Sequence, residues 1–247
     1  MICFLSYPVK RTFVSVIIPN YNYSQYLEEC LNSVIESDFD DRRIEIIVID
    51  DASTDNSISI INSIKKRSRI HIKLIRNPVN YGLSRSRNTG IINSKGSYCF
   101  LLDSDNYIGK DCIKKHFDFL KANHDYIACY APIQKFYNDT KEFGAVISNE
   151  AFDIFKLSSG NYIDAMAMFR RRSLLKIGLY DTKMPQYGWE DWELWLRIGN
   201  QNRKVHFLGG VPLSYYRIHS ESMLHKVTDP NSHLLKSYLK LKYKMNF

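Results

Sequence analysis

A repeated alternation of short apolar runs with amphipathic segments, in the first half of the chain, most constrains the fold. The runs are rich in β-branched or aromatic residues and occupy residues 14–19, 44–49, 70–75 and 98–102. The segments after them carry apolar residues at helical spacing, and helices are predicted to begin near Ser24, after the capping residues 53–55, and over 84–93 and 110–123. The four runs are predicted to be buried strands, each followed by a helix. This order predicts an α/β fold with a mostly parallel central sheet, helices on both faces and right-handed crossovers.

Polar residues follow three of these predicted strands at the point where each strand ends. They are residues 19–22, the pair Asp50-Asp51 and the triplet Asp103-Ser104-Asp105. The carboxyl ends of parallel strands meet at one edge of a sheet, where ligands of such folds bind, so we expect these residues to share a site. Two aspartates separated by one small residue suggest a hard cation and phosphate oxygens, although the triplet alone also fits a solvated turn.

The second half of the chain is less regular. Strands are predicted at 126–131, 162–169, 205–208 and 211–218, a short helix at 174–178, and a longer helix from 188 to about 200. Residues 134–160 show no clear period and are predicted to be irregular. Glu190 and Asp191 lie in the first turn of the longer helix, where the macrodipole favours anions.

Composition narrows the classes of protein that this chain can represent. Its 247 residues, 45% hydrophobic and 24% charged, fit one globular domain. No apolar run approaches the roughly 20 residues of a spanning helix, and residues 1–7 lack the basic flank of a signal peptide, so a cytosolic protein is expected. The five cysteines show no C-x-x-C spacing and are expected to be reduced core residues. The net charge of +8 favours anionic partners, but no nucleic-acid-binding motif is present.

Five segments occur in an order and spacing that resemble family 2 glycosyltransferases of the GT-A fold. They are VIIPNYN at 16–22, VIDDASTD at 48–55, GLSRSRNTG at 82–90, LDSD at 102–105 and WEDW at 189–192. A sixth, YRIHS at 216–220, resembles a segment that supplies a histidine near the metal. The resemblance covers about residues 13–220. It implies a single GT-A domain over 1–247, with a Rossmann-like nucleotide-sugar-binding half (13–131), an acceptor-binding and catalytic half (132–220) and a basic tail (221–247).

The resemblance implies that the tips of the first two strands bind uracil and ribose, and that the segment before the third helix borders the nucleotide. The nucleotide-sugar-binding residues that it indicates are Pro19, Tyr21, Asn22, Asp51, Gly82, Arg87, Asn88, Asp103 and Ser104. Carboxylates suit ribose hydroxyls and a ring N–H because they only accept hydrogen bonds. From the residues alone, Asp50 or Asp55 could instead be a structural cap, and Arg87 could instead hold its loop through an ion pair.

The resemblance also implies a metal site. Asp105 would coordinate Mn²⁺ or Mg²⁺, Asp103 would reach the ribose or the same metal through water, and His219 would be a third ligand. Ions of this kind commonly take one or two carboxylates together with substrate phosphates. The metal would neutralise charge that develops on the departing nucleoside diphosphate.

Asp191 is the predicted catalytic base, because direct displacement at an anomeric carbon requires a group that accepts the proton of the attacking hydroxyl. An unperturbed aspartate has a pKa of about 3.9 and is ionised at neutral pH, and a helix N-terminus favours that form. Trp189, Glu190 and Trp192 are predicted to bind the acceptor. Glu190 could instead cap the helix or pair with an arginine, and the two tryptophans could instead belong to the core.

The resemblance thus implies an inverting, metal-dependent glycosyltransferase that moves a sugar from a UDP-sugar to a hydroxyl of a glycan or lipid-linked acceptor, in cell-surface polysaccharide synthesis. A non-catalytic sugar-nucleotide or glycan-binding module would lack the metal pair or the base. A sugar nucleotidyltransferase would carry a Gly-rich, basic signature after the first strand, and residues 19–22 contain no glycine. A dehydrogenase is disfavoured because no G-x-G-x-x-G follows a strand.

The basic tail contains a roughly amphipathic stretch at 233–244. It could rest on an anionic membrane where a lipid-linked acceptor lies, at the inner face of the membrane. It could equally form a helix that packs on the catalytic domain with its lysines in solvent.

Overall fold

A computed structural model describes residues 13–185, 188–223, 226 and 228–244 of the chain. The four strands and four helices predicted for the first half form where the sequence places them, and a further two-residue strand, Tyr107–Ile108, was not predicted. In chain order they are β1 (Val14–Asn20), α1 (Ser24–Ile35), β2 (Ile44–Asp50), α2 (Ser57–Arg67), β3 (His71–Arg76), α3 (Leu83–Asn93), β4 (Tyr98–Leu101), β5 (Tyr107–Ile108) and α4 (Cys112–Ala122). A short 3₁₀ helix, Asp41–Arg43, leads into β2.

The second half adds six strands and four helices within the described residues. They are β6 (Tyr126–Tyr130), β7 (Ile133–Tyr137), β8 (Phe143–Ile147), α5 (Ile154–Leu157), β9 (Ala167–Arg170), α6 (Arg171–Ile177), α7 (Glu190–Asn200), β10 (Lys204–Phe207), β11 (Ser214–Ile218) and α8 (Ser232–Tyr243). The prediction of irregular structure over 134–160 is wrong, because β7, β8 and α5 lie there. The two strands are only partly buried and their register shifts between Gln134 and Phe136, so they carry neither a continuous apolar run nor a clean alternation.

The main sheet has seven strands in the order β10, β6, β9, β4, β1, β2, β3. All its pairs are parallel except those of β9, which runs antiparallel to both β4 and β6. The predicted mostly parallel sheet is therefore confirmed. A second sheet of four strands, β5, β11, β7 and β8, was not expected from the sequence.

Helices cover both faces of the main sheet, as predicted. Val16 and Ile18 of β1 pack on one face in a cluster that includes Leu27 of α1, whereas Ile17 packs on the other in a cluster that includes Ile91 of α3. Helix α3 lies so close to the sheet that a Cβ on Gly90 would overlap Ile17. One expectation needs correction: β3 is not a buried strand, because it lies at the sheet edge and is half-exposed.

Helix α8 packs on the catalytic domain through Leu235 and Leu239, which are fully buried. Its Tyr238 hydroxyl donates a hydrogen bond to Asp181 Oδ2 at 2.6 Å, and Lys242 Nζ lies 2.7 Å from Glu193 Oε1 of α7. The alternative in which this stretch packs as a helix is thus realised, although Lys242 is engaged rather than solvated.

Two further expectations concern membrane spans and cysteines. Among the described residues, no helix combines the length and the apolar character needed to span a bilayer.

Cys30, Cys99, Cys112 and Cys129 are buried and unpaired with one another, as expected, and Cys3 lies outside the described residues. Burial raises the pKa of each of these four thiols, so none of them is a reactive thiolate at neutral pH.

Candidate active site

Three predicted strand ends meet at the carboxyl edge of the main sheet. Because β2, β1 and β4 are adjacent and parallel, residues 19–22, 50–51 and 103–105 follow one another along this edge. All of these residues except Asp50 border a cavity of about 970 Å³. The predicted nucleotide-binding residues in its wall are Pro19, Tyr21, Asn22, Asp51, Gly82, Arg87, Asp103 and Ser104. Trp189, Glu190 and Asp191, at the start of α7, line the same cavity.

Asp51 shapes the loop before α3. Its Oδ1 accepts hydrogen bonds from Asn77 Nδ2 at 2.7 Å and Tyr81 N at 3.0 Å, and its Oδ2 accepts one from Gly82 N at 2.8 Å. Gly82 has a φ of 87°, which is unfavourable for residues that carry a Cβ. The carboxylate and the glycine together fix this wall of the cavity, and the contact of Asp51 with ribose stays a prediction.

Asp55 serves as a structural cap, one of the alternatives left open by the sequence. Its Oδ2 accepts a hydrogen bond from Ser24 N at 2.9 Å, at the start of α1, and its Oδ1 accepts one from Ser57 N at 3.0 Å, at the start of α2. Partial burial opposes the charged form, but the hydrogen bonds from Ser57 and Ser24 outweigh it and lower the pKa of Asp55. Asp50 is likewise structural, since Ser53 N donates to its Oδ2 at 3.2 Å.

Arg87 of α3 joins the two walls of the cavity. Only 1% of the residue is exposed. Its Nη2 lies 2.6 Å from Asp103 Oδ1, and its Nη1 donates to Glu190 Oε1. Burial opposes the charge, but Asp103 and then Glu190 raise the pKa of Arg87, which keeps it protonated. The ion-pair alternative for both Arg87 and Glu190 is therefore realised, and it connects the Asp103 triplet with the first turn of α7.

Asp105 and His219 lie together in the fold although they are 114 residues apart in the sequence. His219 Nε2 lies 3.1 Å from Asp105 Oδ2, and the rings of Tyr23 and Tyr26 pack against the imidazole. Burial raises the pKa of Asp105, the His219 hydrogen bond opposes this, and the charge of Asp103 adds to it. The buried Nδ1 of His219 has no hydrogen-bond partner among the described residues.

This donor set fits a divalent cation that also takes substrate phosphates. Asp105 Oδ2 and His219 Nε2 lie 3.1 Å from each other, beside a second carboxylate, Asp103, whose charge Arg87 balances. Within the described part of the chain, no group of three or more His, Cys, Asp or Glu side chains is close enough to hold a metal alone. A cation here would thus complete its coordination with substrate oxygens and water, as Mg²⁺-like ions do.

Asp191 lies in a less favourable environment for a charge than its helix position suggests. Its Oδ1 accepts a hydrogen bond from Trp192 N at 2.7 Å, and it lines the cavity. Burial, then the charges of Glu190 and Asp164, raise the pKa of Asp191 well above its usual range, against the opposing effect of Arg87. The expectation of an unperturbed aspartate whose ionised form is favoured by the helix N-terminus is wrong, because desolvation and neighbouring carboxylates outweigh the dipole.

Three predicted site residues do not line the cavity: Asn88, Trp192 and His219, although His219 contacts Asp105, which does line it. Asn88 makes two hydrogen bonds with the backbone of Tyr180. Its Nδ2 donates to Tyr180 O at 2.8 Å, and its Oδ1 accepts from Tyr180 N at 2.8 Å. Trp192 is 2% exposed and its Nε1 donates to Leu157 O at 2.7 Å, so it belongs to the core. The assignments of Asn88 to the nucleotide and Trp192 to the acceptor are corrected accordingly.

The cavity also contains residues that sequence reasoning missed. Lys135 of β7, Tyr216 of β11 and Asp164 before β9 all line it. Burial, and then the charge of Asp103, raise the pKa of Asp164 to about 7. No sequence signal separates Asp164 from other polar residues beside an apolar run, since its neighbours in space come from β4 and α3.

Comparison with known proteins identifies the family. The sequence profile described as glycosyl transferase family 2 matches residues 15–178, well over half of the chain. The chain belongs to glycosyl transferase family 2. This family 2 chain is 30% identical over 194 residues to an uncharacterised glycosyltransferase of Haemophilus influenzae, an alignment that covers 76% of this chain and 72% of the relative. It is thus a glycosyltransferase by family, as the motifs predicted.

Other relatives match over shorter shares of their length. A poly(ribitol-phosphate) beta-glucosyltransferase of Bacillus spizizenii is 36% identical over 110 residues, which is 44% of this family 2 chain and 17% of that enzyme. The crystal structure of S. aureus TarS residues 1–349 in complex with UDP-GlcNAc superposes with a TM-score of 0.71 at 21% identity, and covers 87% of this chain and 61% of that one. The structural likeness confirms the predicted GT-A fold.

Proposed function

We propose that this chain is an inverting, metal-dependent glycosyltransferase that moves a sugar from a UDP-sugar to a hydroxyl of a glycan or lipid-linked acceptor in cell-surface polysaccharide synthesis. The observation that carries the proposal is the buried Arg87, which joins Asp103 to Glu190 and so holds the triplet and Asp191 at one cavity. A transferase needs the leaving group and the acceptor on opposite sides of one anomeric carbon, and this arrangement provides both positions.

The donor proposal is supported by the residues of the first wall and by relatives. Pro19, Tyr21, Asn22 and the loop held by Asp51 form a shelf that suits a nucleoside. Structures of S. aureus TarS contain UDP and UDP-GlcNAc. The names of two relatives mention transfer of glucose or N-acetylglucosamine to poly(ribitol-phosphate). These names support a cell-surface polymer as the general kind of acceptor for this chain.

Asp105 and His219 would hold Mn²⁺ or Mg²⁺, with Asp103 beside them and the donor pyrophosphate completing the coordination. The ion supplies charge neutralisation to the departing UDP. The protein's part is to keep these two donor atoms aligned: Arg87 balances Asp103, and the tyrosine rings fix the imidazole of His219.

Asp191 would act as the general base. The acceptor hydroxyl oxygen forms a bond to the anomeric carbon as its proton passes to Asp191, and the bond from that carbon to the β-phosphate oxygen breaks, which releases UDP and inverts the configuration. Asp191 suits this role because it lines the cavity, and its raised pKa makes its carboxylate a stronger base than that of an ordinary aspartate.

The proposed location is the cytoplasm, with a peripheral contact to the inner face of the membrane through the basic tail. Leu235 and Leu239 are already buried against the domain, so such a contact would use the exposed side of α8, which includes Lys236 and Leu241. Basic residues on a helix surface attract anionic lipid headgroups.

The test is a panel of UDP-sugars incubated with the protein and Mn²⁺: UDP-glucose, UDP-galactose, their N-acetyl forms and UDP-glucuronate. We expect UDP release from at least one donor, with loss of the manganese dependence of UDP binding in Asp105→Ala measured by calorimetry. Asp118→Ala, which changes an exposed carboxylate on α4 that does not line the cavity, is the matched control. Tight UDP binding without turnover of any donor would instead favour a binding module, and an unchanged manganese dependence in Asp105→Ala would place the metal elsewhere.

A further inference from the structure

Asp164 lies at the same sheet edge as the Asp103 triplet, although the two are distant in sequence. Strand β9 runs antiparallel to β4 with Tyr98 opposite Arg170 and Phe100 opposite Met168. The same register, continued along the chain, places Asp164 opposite Ser104. Both residues line the cavity. The single antiparallel strand of the main sheet thus brings the segment before its first residue to the carboxyl ends of β1, β2 and β4.

The backbone of Asp164 is held from both sides. Its N–H donates to Ser148 Oγ at 2.9 Å, and its carbonyl oxygen accepts from Trp195 Nε1 at 3.4 Å. The adjacent Ile163 and Ala165 are 1% and 3% exposed. A side chain on such a segment keeps its position without a ligand, which is the property expected of a preorganised binding residue.

The carboxylate of Asp164 has one engaged oxygen and one available oxygen. Oδ1 accepts a hydrogen bond from Met166 N at 2.9 Å. Oδ2 accepts no hydrogen bond from any residue of the described chain. The environment of the Asp164 carboxylate is unfavourable for its charged form, because burial disfavours an ionised carboxylate that lacks hydrogen-bond donors. A hydroxyl in the cavity would supply the missing donor.

Asp164 interacts electrostatically with groups assigned to both ends of the reaction. The charges of Asp103 and Asp105 act on it from the leaving-group side, and it acts in turn on Asp191 at the acceptor side. The transferred sugar ring must occupy the space between the pyrophosphate and the base, because the acceptor attacks from the face opposite the leaving group. The available oxygen of Asp164 therefore borders the position of that ring.

We propose that Asp164 binds a hydroxyl group of the transferred sugar and so contributes to the choice of donor. The inference rests on the proposed function and deepens it, since it names the donor contact that no motif supplies. A carboxylate that accepts a hydrogen bond from a hydroxyl discriminates strongly against an analogue without that hydroxyl, because the buried oxygen is then left unpaired.

The experiment compares Asp164→Asn with wild type in the presence of Mn²⁺, with UDP, UDP-GlcNAc and UDP-glucose as probes in calorimetry. Asparagine retains an oxygen for Met166 N and removes the charge. We expect unchanged affinity for UDP and about 10-fold or greater loss of affinity for the preferred UDP-sugar, in line with a hydrogen bond to a charged group. Asp153→Asn is the matched control: Asp153 also accepts backbone N–H groups, those of Phe155 and Lys156, but does not line the cavity.

A second measurement identifies the ring position that Asp164 contacts. Deoxy analogues of the preferred UDP-sugar should show a similar loss with wild-type protein at one ring position, and no added loss at that position with Asp164→Asn. Equal affinity of variant and wild type for the UDP-sugar would overturn the inference, as would a loss confined to kcat, which would indicate proton transfer. Failure of wild type to bind UDP at all would overturn the proposed function itself.

Discussion

Arg87 shows how one buried side chain can define an active site. A guanidinium with two carboxylate partners tolerates burial because each partner compensates part of its lost hydration. Glu190, 103 residues further along the chain, and Asp103 are those partners. At the level of residues, the site is therefore an ion-pair network rather than a set of independent ligands.

Removal of this cation should destabilise the protein strongly. Arg87→Met leaves Glu190 and Asp103 without their cation, and we expect a loss of about 3–5 kcal/mol in the free energy of unfolding, measured by urea denaturation. Arg85→Met, at an exposed position of the same helix, should change it by less than about 0.5 kcal/mol. Addition of Glu190→Gln to Arg87→Met should restore part of the loss. Equal stability of the two single arginine variants would contradict the role of the ion pairs.

Asp191 should govern the pH dependence of transfer. Its pKa is raised in the free protein, so the base is protonated at low pH and kcat/KM should rise as pH increases through that raised pKa. The rising limb should lie above the pKa of about 3.9 of an ordinary aspartate. Glu190→Gln removes a neighbouring negative charge, which should move the limb to lower pH.

The variant Asp191→Asn tests the proposed role of Asp191 as the base. We expect a fall in kcat of about 10²–10⁴-fold, with UDP affinity near that of wild type. Steady-state kinetics and calorimetry on the same preparation make the comparison. An unaffected transfer rate would exclude Asp191 as the base.

At the level of elements, α7 and α8 form a supported unit behind the cavity. Glu193 of α7 pairs with Arg197 on its own helix at 2.7 Å and accepts a hydrogen bond from the Tyr243 hydroxyl of α8 at 2.5 Å. Because α7 begins at Glu190 and Asp191, support of its far side holds the turn that carries these two residues in place. The basic tail thus has a structural task that its composition alone does not reveal.

Two leucines of α8 allow this support to be tested within one helix. Leu239 is fully buried and Leu241 is 84% exposed. Leu239→Ala should lower the free energy of unfolding by about 2–5 kcal/mol, whereas Leu241→Ala should change it by less than about 0.5 kcal/mol. Thermal or urea unfolding distinguishes the two outcomes. Equal effects would mean that α8 is not docked as the structure shows.

At the level of the whole molecule, the cost of an acidic cavity should appear as a pH dependence of stability. The pKa of Asp164 is about 7 in the folded protein against a usual 3.8, so the folded state holds a proton that the unfolded state releases between these values. Stability from this group is therefore present below about pH 4 and lost as pH rises through 7. Buried His116 acts oppositely: its pKa is lowered to about 4 by burial, so stability falls as pH drops below 6.5.

The variant Asp164→Asn isolates the contribution of Asp164 to the pH dependence of stability. The variant lacks the titrating carboxylate, so its stability relative to wild type should be higher at pH 8 than at pH 4, measured by urea unfolding at both values. Asp118→Asn, an exposed carboxylate on α4 that pairs with Lys114, is the control and should show a much smaller difference. A relative stability of Asp164→Asn that is the same at both pH values would contradict the raised pKa.

The amino-acid sequence alone was sufficient for the parts of the protein that local patterns encode. The buried strands and the amphipathic helices predicted the parallel sheet, and the topology of such a sheet predicted that residues 19–22, 50–51 and 103–105 share one edge. The WEDW segment indicated Asp191 as the predicted catalytic base. Short apolar runs and motif spacing are properties of consecutive residues, so they can be recognised without the tertiary structure.

Only the tertiary structure decided which polar groups meet and how they titrate. It assigned Arg87 to Asp103 and Glu190, placed Trp192 in the core while Trp189 lines the cavity, and brought Asp164 to the Asp103 triplet through antiparallel β9. It also reversed the expectation for Asp191, whose pKa is raised rather than left unperturbed. Desolvation and Coulomb interactions depend on distances between groups far apart in the chain, and those distances exist only once the sheet has formed.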